Sequence, residues 1–210
     1  MREKQVARQR AGTLVRFEPS GAAQERAEKL WKECDILFLL GAAGTGKTYT
    51  GVGLAMQHAV PKNDRIVLTR PAVEASAGLG YLKGTLDEKY APWIAPFFDV
   101  AKSLVLNPST DLFDPQPLPY LRGRTFDSVV LLDESQNCTV DEIFLVLTRI
   151  GRRGKLILTG DPDQCDIENS GLVRWAHALK GVAGVGIVLF PVTQQHRHPL
   201  IAQIMKRKPR

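Results

Sequence analysis

The sequence predicts an α/β domain, a parallel sheet of about five strands with helices on both faces. Five short runs, "CDILFLL", "RIVLTRP", "SVVLLDE", "GKLILTGD" and "GIVLF", are dominated by apolar residues. They do not alternate apolar with polar, which fits strands covered on both sides. Segments with helical patterning separate them, and that order calls for a doubly covered parallel sheet.

Residues 1–18 read as a loose basic arm, residues 19–205 as one domain and residues 206–210 as a basic tail. Ser20 is placed to cap a helix over 21–32, whose Ala23, Ala27, Leu30 and Trp31 share one face. "CDILFLL" is the first strand, ending in "GAAGTGKT", and a helix follows to about Val60. "RIVLTRP" is the second, stopped by Pro71. Residues 72–85 read as a glycine-containing loop. Residues 86–106 read as helical, interrupted at Pro92 and Pro96. Residues 107–119 hold four prolines and read as an irregular connection. "SVVLLDE" is the third strand. Thr139 and Glu142 form a capping-box pattern for a helix over 140–150, with Ile143, Val146, Leu147 and Ile150 on its apolar stripe. "GKLILTGD" is the fourth strand, 171–181 a helix and "GIVLF" the fifth strand.

The chain has 210 residues, 44% apolar and 24% charged, and this is ordinary globular composition. No apolar run approaches the ~18–20 residues that span a bilayer, and "MREKQVARQR" lacks the apolar core of a secretory signal. Three scattered cysteines with no CxxC spacing fit free thiols in a cytoplasmic protein. The net charge is +6, and it is concentrated in residues 1–16 and in "KRKPR" at 206–210. The stretch between is near neutral. Basic ends attract polyanions, so nucleic acid is a natural partner class.

"GAAGTGKT", Gly41 to Thr48, satisfies GxxxxGK[ST] between an expected strand and helix, the context the motif needs. It marks the fold as a P-loop NTPase. Gly41, Ala42, Ala43, Gly44, Thr45 and Gly46 would turn backbone N–H groups around phosphates. The helix beginning near Lys47 aims its positive end at them. Lys47 adds a point charge, Thr48 a hydroxyl for Mg²⁺, and Tyr49 the next side chain of the site. "LLDES" brings Asp133 to the carboxyl edge of a strand as the second Mg²⁺ partner, with Glu134 beside it to polarise a water. "LTGDPDQ" ends in Gln164, whose amide can sense a γ phosphate. A turn explains "GDPDQ" equally well on local grounds, and the order of the three motifs favours the functional reading.

These stretches, with "RIVLTRPAVEASAGLGYLKGTLDEKYAPWIAPFFD", "YLRGRTFDSVVLLDESQN", "LTRIG", "SGL" and "QHRHPLI", resemble the PhoH family in its compact, phage-type form. Its members are ATPases with a core like the first motor domain of superfamily 1 helicases. The resemblance runs from about Gln24 to Ile204, and Arg65 to Gly84 is its most specific part. It implies a RecA-like sheet, ATP and Mg²⁺ as cofactors, and single-stranded nucleic acid, RNA favoured, as partner. It also implies self-association into a ring, by analogy a hexamer. Gln24 matches a glutamine that reads adenine. Thr69 and Arg70 match a motif that touches the nucleic-acid backbone, and Gln136 and Gln164 match positions coupling the γ phosphate to that backbone. Arg197, between His196 and His198, matches an arginine that contacts the γ phosphate, in its own subunit or a neighbour. Two histidines alone make a poor metal set. Arg122 and Arg124 are candidates for a subunit contact or for RNA. The phosphate loop departs from the family at Ala42, where proline is usual, and "SAGLG" stands in place of "GEKLG". Larger relatives carry an RNA-binding-like region or a nuclease domain, for which 210 residues leave no room.

The expected function is therefore nucleic-acid-coupled ATP hydrolysis of a helicase or translocase kind. The alternatives are a nucleotide-gated RNA-binding module with weak turnover and a PhoH-related ribonuclease. The ribonuclease would recruit Asp161, Asp163 and Asp166 to a carboxylate cluster. A small-molecule kinase would need arginines in a lid, and "GDPDQCDIENSGL" has none.

Overall fold

A computed structural model describes residues 17–71, 86–105, 108–193 and 207. The loop expected over 72–85 lies outside these residues, and so does the stretch Thr193–Ile201 apart from Thr193 itself, Arg197 included.

Six parallel strands form one sheet in the order β3-β2-β4-β5-β1-β6. They are β1 (Ile36–Gly41), β2 (Ile66–Thr69), β3 (Phe113–Pro115), β4 (Val129–Leu132), β5 (Lys155–Gly160) and β6 (Val185–Phe190). The five expected strands are all present. The sixth, β3, lies in the stretch expected to be irregular and pairs with β2 from Ile66↔Phe113 to Leu68↔Pro115. At the sheet edge Pro115 need not donate a ladder hydrogen bond, so a proline-rich segment can close this side.

The central strands β1, β2, β4 and β5 are mostly apolar because each feeds two cores. Leu37, Leu39, Leu131 and Ile157 face one cluster, together with α1 (Ala22–Glu33), α2 (Lys47–Ala59) and α3 (Leu86–Leu104). Phe38, Leu40, Val130, Leu132 and Leu158 face the other, with α4 (Val140–Leu147) and α5 (Leu172–Ala178). Successive strand residues point to opposite faces, so a two-sided sheet admits no polar phase.

Two local expectations change. Ser20 does not cap α1: Gly21 is the N-cap. The Gln24 side chain folds back instead, and its Oε1 accepts from the Ser20 backbone N–H at 2.9 Å and from its hydroxyl at 3.3 Å. Helix α3 runs through Pro92 and Pro96 without a break. An interior proline costs ~3 kcal/mol, and burial of Phe97, Ala101 and Leu104 in the first core offsets it. The capping box at Thr139 forms as expected, with Glu142 N–H donating to Thr139 Oγ1 and Thr139 N–H to Glu142 Oε2.

Candidate functional site

Strands β1, β4 and β5 are neighbours and end at the same edge. Each releases one of the motifs read from the sequence. The loop between β1 and α2 turns at Gly46, the left-handed N-cap of α2 with φ 90°. Gly41 has φ 149°, and a Cβ there would lie 2.3 Å from the Phe190 carbonyl oxygen of β6. Only glycine lets the loop leave the sheet so close to its neighbour.

A cleft of about 290 Å³ opens above this edge. The loop lines it with Ala43, Gly44, Gly46, Lys47, Thr48 and Tyr49, β4 contributes Asp133 and Glu134, and β5 contributes Gly160, Asp161 and Gln164. Gly41 ends β1 and Ala42 is buried beneath the loop. Thr45 is fully buried, and its hydroxyl donates to Ala42 O at 2.7 Å. Lys47 Nζ donates to the same oxygen at 2.8 Å. The amino end of α2, a 13-residue helix, faces the cleft and favours an anion there.

Asp133 is 2% exposed. Its Oδ1 accepts from Thr48 Oγ1 at 3.2 Å and from the Thr159 hydroxyl, and its Oδ2 pairs with Arg70 Nη2 at 2.6 Å. Thr48 and Asp133 are hard oxygen donors side by side at the loop, a set that fits Mg²⁺ entering with a phosphate chain. Among the described residues no group of three or more His, Cys, Asp or Glu side chains is placed to hold a metal by itself. Asp166 instead bonds Asn137, while Asp161 holds Ala43 N–H and the Asp163 amide. The carboxylate cluster that a ribonuclease would need is therefore not assembled from them.

Glu134 has φ 52°, a left-handed conformation that costs a non-glycine residue about 1 kcal/mol or more. Neighbours over-determine it. Gln136 Nε2 donates to Glu134 Oε2 at 2.7 Å, and Gln136 Oε1 accepts from Asp161 N–H at 3.1 Å. Ser135 Oγ donates to Thr159 O at 2.7 Å. The carboxylate is thus braced from β5 while it faces the cleft, where it can accept a proton from water.

None of the residues expected at nucleic acid lines the cleft. Thr69 is fully buried, with its hydroxyl inside the sheet and without a partner, so it offers no surface to a backbone. Arg70 turns to Asp133 and stacks over the Phe97 ring at 4.9 Å, because β2 and β4 are adjacent and Thr69 aligns with Leu132. Gln136 is 3% exposed and sits behind Glu134. Arg122 is exposed. Arg124 bonds Gln116 at 2.8 Å and lies 4.8 Å over Phe126, and neither arginine lines the cleft. Gln24 is buried on α1 with its side chain bonded to Ser20, and it is not among the lining residues. Thr159 is an addition that sequence reading missed, and Asp161 was read only as a turn residue or a member of a nuclease cluster. A threonine inside "LILTG" looks like any strand residue, and an aspartate in "GDPD" looks like a turn.

With this geometry in view, likeness to other proteins becomes specific. The family described as PhoH-like protein matches residues 16–207. The chain belongs to the PhoH family. A PhoH-like protein of Bacillus subtilis (strain 168) is 37% identical over 98% of this chain and 67% of its own length. One from Synechocystis sp. is 37% identical over 96% of this chain and 64% of its own length. The chain thus spans about two thirds of these relatives. Among solved structures, the large terminase of a thermophilic bacteriophage is similar in fold, with a TM-score of 0.62 at 12% identity, over 92% of this chain and 51% of that one. The likeness is one of fold, a parallel sheet with helices on both faces.

Proposed function

We propose that this PhoH-family chain binds ATP in the cleft at Gly41–Thr48 and hydrolyses it to ADP and phosphate, coupled to single-stranded nucleic acid, RNA favoured. One observation carries the reading. A helix amino end with Lys47 and Thr48, the Asp133–Glu134 pair and Gln164 converge on a single cleft.

Phosphates entering the cleft meet the loop amides and the Lys47 ammonium, which exchanges Ala42 O for phosphate oxygens. Thr48 and Asp133 would hold Mg²⁺, which neutralises phosphate charge when bound. Glu134 takes the proton of the attacking water, and Gln136 keeps its carboxylate aimed. Gln164, exposed on the turn after β5, is the amide available to the terminal phosphate. Arg197 is proposed to add positive charge there, and Gln24 to approach the base. The basic ends of the chain, residues 1–16 and 206–210, supply attraction for a nucleic-acid backbone. Arg122 and Arg124 are proposed to serve RNA or a neighbouring subunit in a hexameric ring, which would complete a site that one motor-like domain leaves open on one side.

The deciding experiment is the ATP turnover rate with and without single-stranded RNA and DNA, alongside the oligomer mass. Stimulation by RNA supports the reading. Turnover at the wild-type rate in Glu134→Gln would remove Glu134 as the base. A second reading, a nucleotide-gated RNA-binding module with slow turnover and no unwinding, draws on one contact: Gln136 already occupies Glu134 Oε2. Failure to open a tailed duplex despite RNA-stimulated hydrolysis favours it.

A further inference from the structure

Asp161 directly follows Gly160, and Gly160 aligns with Leu40 on the neighbouring strand. The phosphate loop and the turn at Asp161 therefore leave the sheet side by side. Asp161 is 4% exposed and both of its carboxylate oxygens are engaged. Oδ1 accepts from Asp163 N–H at 3.0 Å, the ordinary bond of an aspartate in a turn. Oδ2 is not explained by the turn. It accepts from Ala43 N–H at 2.8 Å, across 118 residues of chain.

The other end of that same peptide unit is held as well. Ala42 O accepts from Thr45 Oγ1 at 2.7 Å and from Lys47 Nζ at 2.8 Å. A trans peptide is planar, so its C=O and N–H point in opposite directions. The Ala42–Ala43 peptide is thereby stretched between a buried carboxylate and a buried ammonium. Bonds to charged groups are the stronger kind, and both occur here at low exposure. Asp161 is itself pinned, because its own N–H donates to Gln136 Oε1 at 3.1 Å.

We propose that Asp161 is a positioning residue that clamps the phosphate loop through the Ala42–Ala43 peptide. The clamp keeps the loop in its nucleotide-accepting shape while Lys47 changes partner. The proposal rests on the reading of the cleft as an ATP site. When Lys47 leaves Ala42 O for a phosphate, Thr45 and Asp161 still fix the two ends of the peptide. Asp161 also withdraws Ala43 N–H from the donors open to phosphate oxygens. Its charge lines the cleft beside that amide, so an anion is directed to the amides further along the loop, toward the start of α2.

The test compares Asp161→Ala and Asp161→Asn with the wild-type chain. Asparagine keeps one carbonyl oxygen able to accept from Ala43 N–H but loses the charge and the acceptor for Asp163 N–H, and alanine loses both acceptors. Two readouts are taken: affinity for fluorescent ATP and ADP, and amide hydrogen exchange across residues 41–48 in nucleotide-free protein. Asp161→Ala should weaken both nucleotides roughly tenfold or more and speed exchange in the loop, while Asp161→Asn, with one acceptor left and no charge, should fall between alanine and wild type. Wild-type affinity and exchange in a folded Asp161→Ala protein overturn the clamp. So does an asparagine variant that exchanges as fast as the alanine variant. If alanine does not fold, asparagine is compared with wild type, and exchange more than about tenfold faster overturns the clamp. If wild-type protein binds no ATP, the function reading fails, and the exchange experiment still decides the clamp.

Discussion

Arg70 Nη2 and Asp133 Oδ2 lie 2.6 Å apart, joining the ends of β2 and β4 beside the phosphate loop. The backbone reinforces the junction, with Asp133 N–H donating to Thr69 O at 3.1 Å. Breaking a buried pair leaves the remaining charge without its partner, and Asp133 is the more buried of the two. Arg70→Ala should therefore cost about 2–3 kcal/mol of stability. Lysine should recover only part of it, because it cannot stack its head over Phe97 as the guanidinium does. Thermal and urea denaturation of the three proteins check this. An alanine variant as stable as wild type, but with weakened RNA binding, would return Arg70 to the nucleic-acid role.

Lys47→Ala removes the buried ammonium that lines the cleft. Nucleotide affinity should fall at least about tenfold and turnover should be lost, because a charge-assisted contact to phosphate is worth this much or more. Titration with a fluorescent nucleotide, followed by a phosphate-release assay, separates the two effects.

Gln136→Ala takes the donor from Glu134 Oε2 and the acceptor from Asp161 N–H in one step. The expected result is a kcat roughly tenfold lower with little change in KM, since the brace acts on the water-activating carboxylate. A change carried mainly by KM would place Gln136 in nucleotide binding instead.

Gly41→Ala puts a Cβ at 2.3 Å from Phe190 O, in a backbone region that L-residues rarely adopt. A loss of about 2–3 kcal/mol follows, readable as a lower Tm. An unchanged Tm would mean that β6 yields at its open edge.

Thiol labelling offers a check on burial. Cys165 is exposed, whereas Cys34 and Cys138 are buried. Burial also pushes the Cys34 thiol above its ordinary value, which leaves less thiolate at neutral pH. Mass spectrometry after brief alkylation should find one fast site, Cys165. Fast modification of Cys34 would contradict the packing of α1 on β1.

The sheet and the loop were legible in the sequence for local reasons. Strands buried on both faces must be apolar at every position, as "ILFLL" and "VVLL" are, and a glycine-rich turn between strand and helix has few other uses. Glu134, Asp133 and Lys47 could be named because each sits at a strand or helix end whose direction the pattern already sets. Strand β3 could not, since three residues among prolines carry no period and pair only because β2 offers a free edge. The continuous helix α3 was hidden for a related reason, as proline propensity is local while the burial that outweighs it is not.

Partner choice was decided by tertiary structure alone. The residues of "LTRP" and "GDPDQ" were visible as polar groups at strand ends, but which neighbour each would meet depended on strand order. Placing β2 beside β4 turned Arg70 onto Asp133, and placing β5 beside β1 brought Asp161 to Ala43. Local pattern specifies where a side chain leaves the sheet. Only the packing of distant strands determines which charge it finds there, because a buried ionic group must be satisfied by whatever the fold sets within reach.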